Sequence, residues 1–151
     1  WGYKQEQTPT WYGLFTKEGN ATQSVDVLNS YWGNYDRNNA PVIHSFMLNN
    51  KKKTESVKVK RGKECNFTFS VNDSDNDSLI YDFQLMPEST DKKAGGDFEK
   101  SPEPIFFNII KQSNSQIFIE APSRKGAYRF FIYVRDDNKN VATDNIPFYV
   151  K

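Results

Sequence analysis

From residue 42 onward the chain sets apolar and polar residues in short alternating runs, divided by turn-forming residues. Cys65, Phe67, Phe69 and Val71 interleave with Asn66, Thr68 and Ser70, and Leu79, Tyr81, Phe83 and Leu85 repeat the period of two. Alternation places one set of side chains on each face of a strand, so each run reads as a strand with one buried face. The pattern also predicts strands at 42–48, 56–60, 105–110, 116–120, 127–135 and 146–150. Between 87 and 104 lies a long polar excursion with Gly95-Gly96 and no periodicity. About seven short strands with regularly spaced turns predict an all-β protein, an antiparallel β-sandwich.

The first part of the chain has a different texture. All three tryptophans, Trp1, Trp11 and Trp32, fall within it. Lys17-Glu18-Gly19-Asn20 is a turn by composition. Ala21, Val25, Leu28 and Trp32 then recur at helical spacing, with Thr22 as N-cap and Gly33 as stop. A helix this short is not stable alone and must pack on another body. The polar stretch Asp36-Arg37-Asn38-Asn39-Ala40-Pro41 separates the two textures and divides the chain into regions 1–38 and 39–151.

Composition narrows the function. Aromatic residues make up 15% of the 151 residues, enough for a strand-rich core, and charges cancel to a net +1. That balance gives no argument for nucleic acid or an anionic membrane. No run approaches the length of a membrane span. One cysteine, Cys65, excludes an internal disulfide, and one histidine, His44, argues against a histidine metal site or a catalytic triad.

The sharpest local signal is Asp73-Ser74-Asp75-Asn76-Asp77-Ser78. Carboxylates at alternate positions offer hard oxygen ligands suited to Ca²⁺, and Asp136-Asp137 and Asp144 lie where a closed sandwich can complete the set. The alternative is an Asx-turn hairpin with Asn76 at positive φ. Lysines and arginines between Lys51 and Lys63 form a basic hairpin without interleaved aromatics, which suits protection of a sheet edge better than a nucleic-acid groove. No spacing specifies the pair of carboxylates a glycosidase needs, so no catalytic residues are assigned. Gly126-Ala127-Tyr128 at the start of a long strand reads as a tyrosine corner or as a plain core aromatic. Phe106-Phe107 and Phe130-Phe131 put neighbouring rings on opposite faces, so some must be exposed or covered by the first segment.

Two resemblances follow from these residues. Ala40-Pro41-Val42-Ile43, Val71-Asn72-Asp73-Ser74-Asp75-Asn76-Asp77-Ser78-Leu79-Ile80-Tyr81 and 126–136 together resemble an Ig-like module of the PKD or cadherin-like type, with Asn76 where that family has glycine. The stretch from Trp1 to Phe15 with 22–32 resembles the last strand and helix of a (β/α)₈ glycoside hydrolase barrel. The second resemblance implies that Trp1 is a remnant of a sugar subsite and that the catalytic strands belong to an upstream barrel.

The expectation is therefore a non-catalytic C-terminal accessory module, a spacer, stabiliser or weak glycan-binding appendage of a secreted bacterial-type glycoside hydrolase acting on polysaccharide. The alternatives are a stand-alone carbohydrate-binding module and a Ca²⁺-dependent cadherin-like adhesion module. Candidate cation ligands are Asp73, Asp75, Asp77 and Asp136, with Ca²⁺ as the candidate cofactor. Candidate glycan-facing aromatics are Trp11, Trp32, Phe107 and Tyr133. Expected partners are the catalytic barrel of the parent protein and polysaccharide, with no nucleic acid and no transmembrane segment. Expected locations are secreted, periplasmic or cell-surface.

Overall fold

The computed structural model describes residues 14–16, 18–33, 36–91, 93 and 97–151. Two five-stranded sheets face each other across a phenylalanine-rich interior. In chain order the elements are β1 (Ala21–Thr22), α1 (Gln23–Leu28), a π-helical turn (Asn29–Gly33), β2 (Val42–Leu48), β3 (Lys51–Lys52), β4 (Lys58–Val59), β5 (Glu64–Asn72), β6 (Ile80–Pro87), β7 (Ile109–Ser113), β8 (Gln116–Glu120), β9 (Gly126–Arg135) and β10 (Asn140–Val150). One sheet runs β1-β10-β9-β6, with β4 also on β10; the other runs β3-β2-β5-β8-β7. The expected mostly-β sandwich is thus present.

Alternation explains the interior. On β5 Cys65, Phe67 and Phe69 point inward, and on β9 Phe130, Ile132 and Val134 meet them. Phe67 and Phe130 stack at 4.1 Å between ring centroids, and Phe107 meets Phe130 edge-on at 5.4 Å. β9 is buried on its other face too, where Phe131 and Tyr133 cluster with Met86 and Val141. Phe131 is therefore covered rather than exposed, whereas Phe106 is 89% exposed.

Two strands depart from their sequence boundaries. β10 begins six residues before the expected 146, because the polar run Asn140, Thr143, Asp144 and Asn145 hides its pairing with β9. The expected 105–110 strand moves to Ile109–Ser113, and Ile105 keeps a single bridge to Leu85. Lys51–Lys52 forms an edge strand, as the basic hairpin implied. The tyrosine corner is present: Tyr128 Oη donates to the Arg124 carbonyl at 2.8 Å.

The N-terminal segment is tied to the sandwich through β1, which pairs in parallel with the start of β10. Its preceding turn closes through Gly19, at φ 87°, and Ala21 N–H donates to the Lys139 carbonyl at 2.8 Å. Thr22 occupies the N-cap position of α1, but its hydroxyl donates to the Leu14 carbonyl instead of accepting from the helix. The helix is shorter than the sequence pattern implied and relaxes into a π-helical turn ending at Gly33. No helix among the described residues is long and apolar enough to cross a membrane.

Candidate cation site at the junction of linker and sandwich

Two aspartate-built turns meet at one pole of the sandwich. Between β5 and β6, Asp73 Oδ1 accepts the backbone N–H groups of Asp75 and Asp77 at 2.9 and 3.2 Å. Asn76 sits within this turn at φ 61°, a conformation that Asn tolerates better than most residues. Between β9 and β10, Asp136 Oδ1 accepts from the N–H groups of Asn138 and Asn140 at 2.9 and 2.8 Å. Its Oδ2 accepts from the Asn140 side-chain amide at 2.8 Å. Each aspartate thus shapes its own turn.

The strand register brings the turns together, since Ile80 at the start of β6 pairs with Arg135 at the end of β9. One carboxylate oxygen from each of Asp73, Asp77 and Asp136 then lies within 4.8 Å of the other two. Asp136 is buried and the others are half-buried. Three like charges this close repel, and the amide donors around Asp136 and Asp77 offset part of that cost. Asp73 Oδ2 is the exception: it is buried, and no donor reaches it. Burying a carboxylate oxygen without a partner is costly, so this atom marks a place where a cation fits. The donor set is all hard oxygen, which suits Ca²⁺.

The linker is the third component. Asn38 donates its side-chain amide to Asp77 Oδ2, and Asn39 N–H donates to Asp75 Oδ2 at 2.6 Å. Asn140 donates to Asn38 Oδ1 at 2.7 Å and accepts from Arg37 Nη2 at 2.6 Å. Arg37 Nη1 also meets Asp26 Oδ1 of α1 at 3.0 Å, while Asp26 Oδ2 accepts the Ala40 N–H at 2.9 Å. A continuous polar ladder therefore runs from α1 through the linker to the acidic triad.

Three of the four candidate ligands converge and one does not. Asp75 turns toward the linker backbone, outside the triad. Asp144 instead pairs with Lys53 at 2.7 Å, farther along β10, and Asp137 accepts from the Asn138 side chain at 3.0 Å. Sequence reasoning missed Asp26, Arg37, Asn38 and Asn140. The one signal was the Asn-rich linker, whose Arg37 and Asn38 meet Asn140 about 100 residues away in the chain.

The glycan-facing candidates separate in the same way. Trp1 and Trp11 lie outside the described residues. Trp32 is 81% exposed on the π-helical turn, beside the exposed Tyr31. Tyr133 is only 6% exposed and donates to Gln84 Oε1, and Phe107 packs on Phe130, so neither presents a free ring face. His44 is an exposed residue of β2. Cys65 is fully buried, and that burial, with Glu64 nearby, pushes its thiol up to about 12, which makes it a core residue and not a nucleophile.

No family model matches the chain, and no curated relative matches it. Among solved structures, it is similar to a nucleoside hydrolase-related hypothetical protein from Saccharophagus degradans that is associated with carbohydrate metabolism. That match has a TM-score of 0.48 and 19% identity, over 76% of this chain and 26% of the other. The chain thus spans about a quarter of that protein's length. It is also similar to PcoC, a methionine-rich copper resistance protein from Escherichia coli, at a TM-score of 0.43 and 16% identity over 74% of this chain and 99% of PcoC. Likenesses this distant carry no activity across to this chain.

Proposed function

We propose that the chain is a non-catalytic accessory module, a spacer and stabiliser within a secreted, periplasmic or cell-surface protein that processes polysaccharide. In this reading a Ca²⁺ ion held by Asp73, Asp77 and Asp136 locks the N-terminal segment onto the sandwich. The observation that carries it is the buried, unpartnered Asp73 oxygen inside a three-carboxylate cluster, at the point where the linker arrives. Extracellular modules meet Ca²⁺ at concentrations that saturate sites of modest affinity, which agrees with the expected location. The non-catalytic reading and the polysaccharide context rest on the sequence: no carboxylate pair is specified, and the first segment resembles the end of a hydrolase barrel. Leu14, Phe15, Val27, Tyr31 and Trp32 are all exposed, which suits a segment that packs against a further protein body.

Thermal melting with Ca²⁺ and with EDTA tests the reading. At a hundredfold excess over Kd, a ligand selective for the folded state adds about 2.7 kcal/mol, or roughly 5–10 °C for a domain of this size. The Asp73→Asn variant keeps an oxygen for the turn but removes the charge, so its melting should lose the Ca²⁺ shift while remaining cooperative. Superimposable melts with Ca²⁺ and EDTA would end the proposal.

A further inference from the structure

The opposite pole carries a second feature that the cation reading does not use. Asn140 lies beside the triad, and Tyr149 lies nine residues further along β10, about 30 Å away at the usual strand rise. There β10 presents Pro147 and Tyr149 on its outward face, while Ile146, Phe148 and Val150 fill the core. Ala127, itself exposed and small, stands opposite Tyr149 in the β9 register, and Tyr149 is 38% exposed. The 53–58 segment forms one wall, held by the bond from Tyr149 N–H to the Val57 carbonyl at 2.9 Å, and Glu88 stands on the other. The result is an open groove of about 360 Å³.

Its chemistry selects a class of ligand. The floor is a proline and a tyrosine, flat and apolar. The rim is ionic but balanced, with Lys53 and Lys58 against Glu55 and Glu88, and two of these are already paired: Glu88 accepts from Arg129 Nε and Nη2 at 3.2 and 2.7 Å, and Lys53 holds Asp144. A lining whose charges cancel favours no ligand of a single sign. A neutral ring with an apolar face and a hydroxylated edge fits both parts, laying its C–H face on Tyr149 and Pro147 and its hydroxyls against Lys58, Glu55 and Glu88. We infer that this groove is a binding site for a neutral saccharide, one to two rings of a polysaccharide chain. The choice of panel, though not the groove itself, rests on the accessory-module reading.

The test is an amide-shift titration of the Ca²⁺-loaded protein with hexasaccharides of neutral glucan, xylan and mannan, beside charged galacturonan and chitosan oligomers. At least one neutral oligomer should shift the amides of Lys58, Ala127 and Tyr149 saturably. Tyr149→Ala should bind about tenfold more weakly or worse. Ala127→Arg, which fills the groove from an exposed position, should bind equally poorly. Absence of saturable shifts, shifts centred elsewhere, response to charged oligomers alone, or unchanged affinity in both variants would overturn the inference. Melting the same samples with EDTA separates the two ideas. A flat titration with an intact Ca²⁺ shift removes the groove alone, and saturable binding in a Ca²⁺-insensitive protein removes the cation reading alone.

Discussion

The interior between the sheets and the junction at the Asp136 pole share strands β5, β9 and β10, yet opposite physics holds them. In the interior, Phe67, Phe130, Phe83 and Phe148 contact one another through their rings, and their stability follows from apolar area withdrawn from water. At the junction, charged and amide groups hold one another, and their stability depends on every oxygen having a partner. The difference teaches that one sandwich can carry an apolar body and a polar junction, and in the proposed reading only the junction answers to a cation. Separate perturbations should reveal the two.

The largest effect should come from the interior. Phe67→Ala removes a fully buried ring stacked on Phe130 and should cost about 3–5 kcal/mol by urea denaturation, with or without Ca²⁺. A cost that depends on Ca²⁺ would mean the two regions are not separable. Removal of Ca²⁺ comes next, with the melting shift described above and no loss of the interior's near-ultraviolet aromatic signal.

Smaller again is Arg37→Met, which cuts the ladder between Asp26 and Asn140. The contacting atoms, Arg37 Nη1 and Asp26 Oδ1, are both buried, so losing the cation leaves a buried carboxylate oxygen unpaired and should cost about 2 kcal/mol overall. Amide hydrogen exchange of Gln23–Leu28 should nevertheless accelerate well beyond that of β9. Equal acceleration throughout the chain would show that this bridge does not anchor α1 specifically. Tyr128→Phe should be the mildest, near 1 kcal/mol for one hydrogen bond to the Arg124 carbonyl, with no change in the Ca²⁺ response.

Where burial drives structure, the fold was readable in the sequence. A long apolar run marked β9, which is buried on both faces from Tyr128 to Val134, and the period of two located β2, β5 and β8, which bury one face in alternation. It failed on the first half of β10, where Asn140 and Asn145 are buried polar residues serving hydrogen bonds instead of apolar packing. It failed again on β7, an edge strand exposed along its whole length, where no alternation is enforced. The acidic triad was legible in part. The Asp73 turn announces itself locally, but the convergence of Asp136 and the exclusion of Asp75 are set by β6·β9 register and by the linker, both long-range. The roles of Arg37 and Asn38 were invisible because their partner, Asn140, is joined to them only through the folded sheet.

The parallel pairing of β1 with the start of β10 has a mechanical consequence. The N-terminal segment attaches at Asn140, while the chain leaves β10 at Lys151, about 35 Å away along the same strand. Tension between residues 21 and 151 therefore pulls β1 and β10 in opposite directions along a common axis, and the pairs Ala21↔Asn140 and Thr22↔Val141 carry it in shear. The two must yield together, while the register of β10 with β9 from Val141 to Val150 keeps β10 seated. The β1·β10 contact thus acts as a short clasp that limits how far the two ends can be drawn apart.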